Sequence, residues 1–171
     1  MSFKKTLFIF LPFLCFWLID FYSKAWFVAN QSSHLKLFLF HLSYYENHGI
    51  ILGSFSNLPL ILRTVFLTTM GISIVASFPL INYLIEFRSK KLLFGLSCIF
   101  SGILGNVVDR IIYGFVVDFV YFKSNFFNSP VFNFADFIQW IGYAFLLSGI
   151  VSEINFQIKD NEYRKSNWVN H

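Results

Sequence analysis

Residues 102–120, "GILGNVVDRIIYGFVVDFV", decide how the chain is read. They place Asp109, Arg110 and Asp118 among valines, isoleucines and phenylalanines. The surrounding chain is apolar: 56% of its 171 residues are hydrophobic and 13% are charged. A soluble globular domain carries about 25% charged residues. The composition therefore implies an integral membrane protein, and the length implies a single domain spanning 1–171. An ionised side chain at the centre of a membrane helix costs roughly 2.5–3.5 kcal/mol on insertion scales. Charges kept there usually face the bundle interior, pair with one another and mark a functional site.

A hydrocarbon core about 30 Å thick needs about 20 apolar residues in a helix. Four segments qualify: 6–28, 59–85, 92–113 and 135–156. Lys4 and Lys5 precede the first. Arg88, Lys90 and Lys91 lie between the second and third, and Lys159, Arg164 and Lys165 follow the fourth. The other two loops carry only Lys36 and Lys123. By the positive-inside rule both termini are cytoplasmic, and residues 29–58 and 114–134 face outward. The net charge of +4 is explained by this placement, without a nucleic-acid partner. The N-terminus has the Lys-Lys and apolar run of a secretory signal. However, Leu14 before Cys15 is not small and the apolar run continues, so a retained helix is expected.

The outer loops read as structure. "HLKLFLFHLSYY" (34–45) alternates in part, and "GFVVDFVYF" (114–122) is dense in Val and Phe after a turn-like Gly. Both favour a small sheet at the membrane surface. Cys15 and Cys98 lie in apolar runs and read as buried small hydrophobes. His34, His41 and His48 are evenly spaced on a segment that reads as extended, and no cluster has metal-ligand spacing.

Three polar groups interrupt the spans. Asp20 and Lys24 share a helix face one turn apart and read as an ion pair fixing the first span. Asn106, Asp109 and Arg110 share a face of the third span, just after Gly102 and Gly105, which allow close helix approach. Asn133 and Asp136 open the fourth span, where Asn133 also suits a helix N-cap. "GNVVD" and "FNFAD" are both Asn-x-x-Asp at one membrane depth. Two carboxylates meeting there would tend to share a proton, the arrangement with which aspartic proteases activate water. Catalytic carboxylates, a proton relay or ion path in a small transporter or channel, and a structural polar network all fit that spacing.

"GNVVDRIIYGFVVDF" and "FNFAD" resemble the two signature blocks of the signal peptidase II family, the bacterial lipoprotein signal peptidases. "DFYSK" (20–24) resembles its first-helix block, and "ENHGIILGSF" (46–55) its asparagine-glycine block, with Leu52 where the family usually carries phenylalanine. The resemblance implies an all-α membrane protein, four transmembrane helices with a small extracytoplasmic β-cradle and a mobile surface helix over the site. It implies an aspartic endopeptidase of the bacterial cytoplasmic (inner) membrane, acting as a monomer without cofactor or metal. Its substrates would be diacylglyceryl-modified prolipoproteins in membrane lipid, cut before the lipidated cysteine. By motif match the catalytic pair would be Asp109 and Asp136. Asn47, Gly49, Asn106, Arg110 and Asn133 would support substrate and pair. Asp20, Lys24 and Asp118 would be structural.

Overall fold

The computed structural model describes residues 3–48, 59–84, 89–124 and 126–169. Four helices form the body: α1 (Phe3–Ala29), α2 (Leu60–Leu84), α3 (Lys90–Tyr113) and α4 (Phe134–Val169). Three of them, α1, α3 and α4, are long and apolar enough to cross a membrane, and α2 contributes a shorter apolar stretch, Thr64–Phe78. The spans read from the sequence fall on these helices. The fourth helix, however, runs well past the expected end at 156. Hydropathy marks where a helix leaves hydrocarbon, not where it stops. The polar extension stays helical, with an Arg164–Asp160 ion pair of 3.0 Å one turn apart.

The central helix is α3. Of its apolar stretch 67% is buried, against 17% in α1 and 22% in α4, so the last two show most of their surface outward. It packs against α1, α2 and α4. Small residues permit this: a Cβ on Gly95 would stand 2.8 Å from the backbone oxygen of Gly142. At the end nearer the chain's N-terminus, Ile9, Phe78, Leu93 and Phe100 form a buried cluster, in which Phe78 stacks on Phe100 at 4.4 Å.

The outer loops build one antiparallel sheet, β1 (Leu35–Leu37), β2 (Phe40–Asn47) and β3 (Val116–Phe122), in the order β1-β2-β3. This matches the surface sheet read from the alternation of residues 34–45 and the Val/Phe density of 114–122. The ring of Phe119 stacks on Phe27 of α1 at 4.4 Å and fixes the sheet to the bundle. Among the described residues neither outer loop contains a helix. Gly49 and Leu52 lie outside the described residues.

The link from α3 to β3 sets the site. Gly114 ends α3 with φ +82°, in the left-handed region that suits a glycine, and its N–H donates to the Arg110 carbonyl at 3.1 Å. The chain reverses there. Val117 and Asp118 are thereby carried back over the last turns of α3.

Candidate active site

The base of the site is an ion-paired cluster. Lys24 Nζ lies 2.8 Å from Asp20 Oδ2 and 3.0 Å from Asp109 Oδ2, and it donates to Asn106 Oδ1 at 3.0 Å. These three partners match the three protons of an ammonium. Asp20 Oδ1 accepts the Ala135 N–H at 2.8 Å, tying α1 to the first turn of α4. A Cβ on Gly105 would collide with the Asp20 carboxylate, so the pair can reach α3 only past a glycine. Asp109 Oδ2 also accepts the Val117 N–H at 2.9 Å, which holds the start of β3. Asp20, Lys24 and Asp109 are all buried.

Above this cluster the partners are amides. Asn133 caps α4: its Oδ1 accepts the Asp136 N–H at 2.9 Å, while Asp136 Oδ2 accepts the Asn133 N–H at 3.3 Å. This is the reciprocal capping geometry that an Asn-x-x-Asp at a helix start provides. The Asn133 amide also donates to Asp118 Oδ1 at 2.7 Å and to Asn106 Oδ1 at 3.1 Å. Asn106 Nδ2 donates to Asp136 Oδ1 at 2.9 Å, and Asn47 Nδ2 to Asp118 Oδ2 at 2.8 Å. Arg110 stands within electrostatic reach of Asp136, Asp118 and Asp109. Asp136 is half-buried and Asn47 is exposed, so the site opens on their side.

Asp118 is a buried carboxylate outside the helices, on β3. Burial, and next the neighbouring Asp136 carboxylate, push it up to about 7, against the Asn47 and Asn133 hydrogen bonds and Lys24. Four carboxylates, Asp20, Asp109, Asp118 and Asp136, here face two cations, Lys24 and Arg110. Full ionisation would leave an excess of two negative charges. One proton held in the upper part of the site halves it.

The structure thus brings together Asp20, Lys24, Asn47, Asn106, Asp109, Arg110, Asp118, Asn133 and Asp136. Two relations escaped the sequence. The ammonium of Lys24 reaches Asn106 and Asp109 as well as its neighbour Asp20. Asp118, read as a structural residue of the outer segment, shares Asn133 with Asp136. The only sequence signal for the second was that Asp118 lies on a strand-prone segment expected to join a small sheet at the membrane surface. The three histidines take separate partners: His34 with Ser43, His41 stacked on Tyr121, and His48 beside Glu46.

Apolar helices around a buried acid–amide site, beneath a surface sheet, define a polytopic helical membrane protein. A bacterial membrane enzyme solved by the in meso method at 2.3 Å superposes with a TM-score of 0.71 over 85% of this chain and 88% of that one, at 20% identity, and shows the same fold. Residues 12–152 match the family described as Signal peptidase (SPase) II. The lipoprotein signal peptidase of Wigglesworthia glossinidia brevipalpis is 33% identical over 133 residues, 76% of this chain and 85% of that protein. That of Clostridium tetani is 31% identical over 145 residues, 82% of this chain and 90% of the relative. The chain belongs to the signal peptidase II family, and membership makes it a membrane-embedded protease.

Proposed function

We propose that the chain is an aspartic endopeptidase that removes the signal peptide of prolipoproteins before a lipid-modified cysteine, with Asp118 and Asp136 as its catalytic carboxylates. The observation that carries the assignment is the shared amide of Asn133. It donates to Asp118 and accepts from the Asp136 backbone, while burial, and next the Asp136 charge, raise Asp118 to about 7. Motif spacing had suggested Asp109 as the partner of Asp136. Its ion pair with Lys24 and its bond to Val117 suit a scaffold role better.

The chemistry follows from two carboxylates holding one proton. The ionised member takes a proton from water as the water oxygen attacks the scissile carbonyl carbon. The protonated member donates to the carbonyl oxygen, giving a neutral gem-diol. On collapse the C–N bond breaks, the first member protonates the leaving nitrogen, and a hydroxyl proton returns to the second. Asn106 and Asn133 orient the pair, Asn47 covers Asp118 at the mouth, and Arg110 offsets charge on the three aspartates. No step calls for a metal ion.

The site at one end of the bundle suits a substrate whose lipid keeps the scissile bond at the leaflet boundary. The Lys and Arg distribution supports both termini in the cytoplasm of a bacterial cell and this site on the outer side of the inner membrane. A monomer supplies every residue invoked. The test is cleavage by purified full-length protein of one preprolipoprotein in its diacylglyceryl-modified and unmodified forms. The modified form alone should be cut, just before the cysteine, with activity retained in EDTA. Equal cleavage of both forms, or a metal-restored loss of activity, would contradict the proposal.

A further inference from the structure

The two outer loops carry only two lysines, Lys36 and Lys123, one in each loop. The fold brings both to one cavity of about 470 Å³, lined also by Phe38, Leu39, His41, Ser124 and Phe126. Pairing of Lys36 with His41, and of His41 with Tyr121, puts these side chains on one sheet face, with Lys123 two residues further along the chain. Leu37, Phe40 and Phe122 lie on the opposite face by the same register. The Lys123 N–H donates to the Leu39 carbonyl at 3.0 Å, holding it against the β1–β2 turn. Among the described residues neither lysine is in an ion pair. Two ammonium groups thus line one cavity with no ion-pair partner among the described residues.

The rim of the cavity is apolar and turned outward. Phe126 is fully exposed and Phe38 is 86% exposed. Phe38 is also the one described non-glycine residue with positive φ, at 57°. In a two-residue hairpin loop that conformation favours glycine, and a bulky residue there is strained. An aromatic ring held in a strained turn, yet with little contact to its own protein, has its use outside it.

We infer that this cavity binds the phosphate headgroup of an anionic phospholipid in the leaflet against which the sheet lies. Lys36 and Lys123 would flank the phosphate, and Phe38 and Phe126 would enter the acyl region beside it. A cavity of this size suits a headgroup. A soluble anion would use the lysines but not the aromatic rim. The bound lipid would hold the sheet, and Asp118 on β3 with it, at a fixed height on the membrane. The inference goes beyond the proposed peptidase activity and does not depend on it.

The test is native mass spectrometry of the full-length protein in neutral detergent. It would be titrated in separate arms with phosphatidylglycerol, phosphatidylcholine and inorganic phosphate. Wild type should retain phosphatidylglycerol over phosphatidylcholine, and excess inorganic phosphate should not displace it. Lys36→Ala with Lys123→Ala should bind it roughly 30-fold more weakly, since each lysine contributes about 1 kcal/mol at an anionic surface and 1.4 kcal/mol is a factor of ten. Lys36→Arg with Lys123→Arg should retain it. Raising salt from 50 to 500 mM should weaken wild-type binding, a readout that needs no variant. No preference between the lipids, unchanged binding by the double alanine variant, or ready displacement by inorganic phosphate would each overturn the inference.

Discussion

Two pairs of aspartates stand within one site and are treated in opposite ways. Asp20 and Asp109 share the ammonium of Lys24 at 2.8 and 3.0 Å, and each also accepts a backbone N–H, from Ala135 and Val117. Asp118 and Asp136 take their hydrogen bonds from neutral amides and the backbone: Asn47, Asn106 and Asn133. A cation shared between two buried carboxylates ties their elements together and makes a good strut. Amides position a carboxylate without fixing its protonation, which leaves it able to exchange protons. If the amide-held pair is the reactive one, as proposed, residue type and depth do not mark it. The partner does.

The largest expected effect breaks the upper pair. Asp118→Asn and Asp136→Asn should each reduce turnover to background, while the protein remains folded in detergent. The second effect separates strut from chemistry. Asp20→Ala leaves Lys24 short of a partner, and Lys24→Ala leaves two buried carboxylates without their cation. Breaking a buried pair costs about 3–5 kcal/mol, so either single change should lower thermal stability sharply. The double change, Asp20→Ala with Lys24→Ala, should recover part of the loss against Lys24→Ala. Fully stable but inactive single variants would mean that the lower cluster takes part in the reaction.

A third, smaller effect concerns pH. A carboxylate raised to about 7 in the folded state contributes stability that is present below its unfolded value and is lost as pH rises through 7. Wild type should therefore become less stable between pH 5 and pH 8, and Asp118→Asn should flatten that slope and melt above wild type at pH 8. A variant that tracked wild type across this range would show that Asp118 carries no such proton. The smallest effect belongs to the mouth. Asn47→Ala removes one hydrogen bond to Asp118 at an exposed position, so it should lower turnover about tenfold and leave the melting temperature nearly unchanged.

Much of this was legible in the sequence. Apolar length gave the helices, alternation in residues 34–45 gave the sheet, and the repeated Asn-x-x-Asp marked residues that the fold brings together. What the sequence could not supply was which carboxylate meets which partner. Asp109 and Asp118 flank the reversal at Gly114, and the direction in which β3 leaves that turn depends on its pairing with β2 and on Phe119 stacking over Phe27. These are contacts between residues far apart in the chain, and spacing within a motif does not encode them. Lys24 posed the same difficulty. Its neighbour Asp20 was visible at one helical turn, whereas Asn106 and Asp109 come from another helix. The end of α4 was missed because its last turns are polar and helical at once.

The proposed assignment makes the amide-held pair of carboxylates reactive and not the lysine-held one. It is tested most directly by comparing Asp118→Asn and Asp109→Asn in one assay. Cleavage of a lipid-modified preprolipoprotein should be measured per folded molecule, with the folded fraction taken from thermal melts of the same samples. Asp118→Asn should be folded and inactive, while Asp109→Asn should be less stable but cut at a measurable rate once corrected for its folded fraction. A folded Asp118→Asn protein that cuts near the wild-type rate, beside a folded Asp109→Asn protein that does not cut at all, would contradict the assignment.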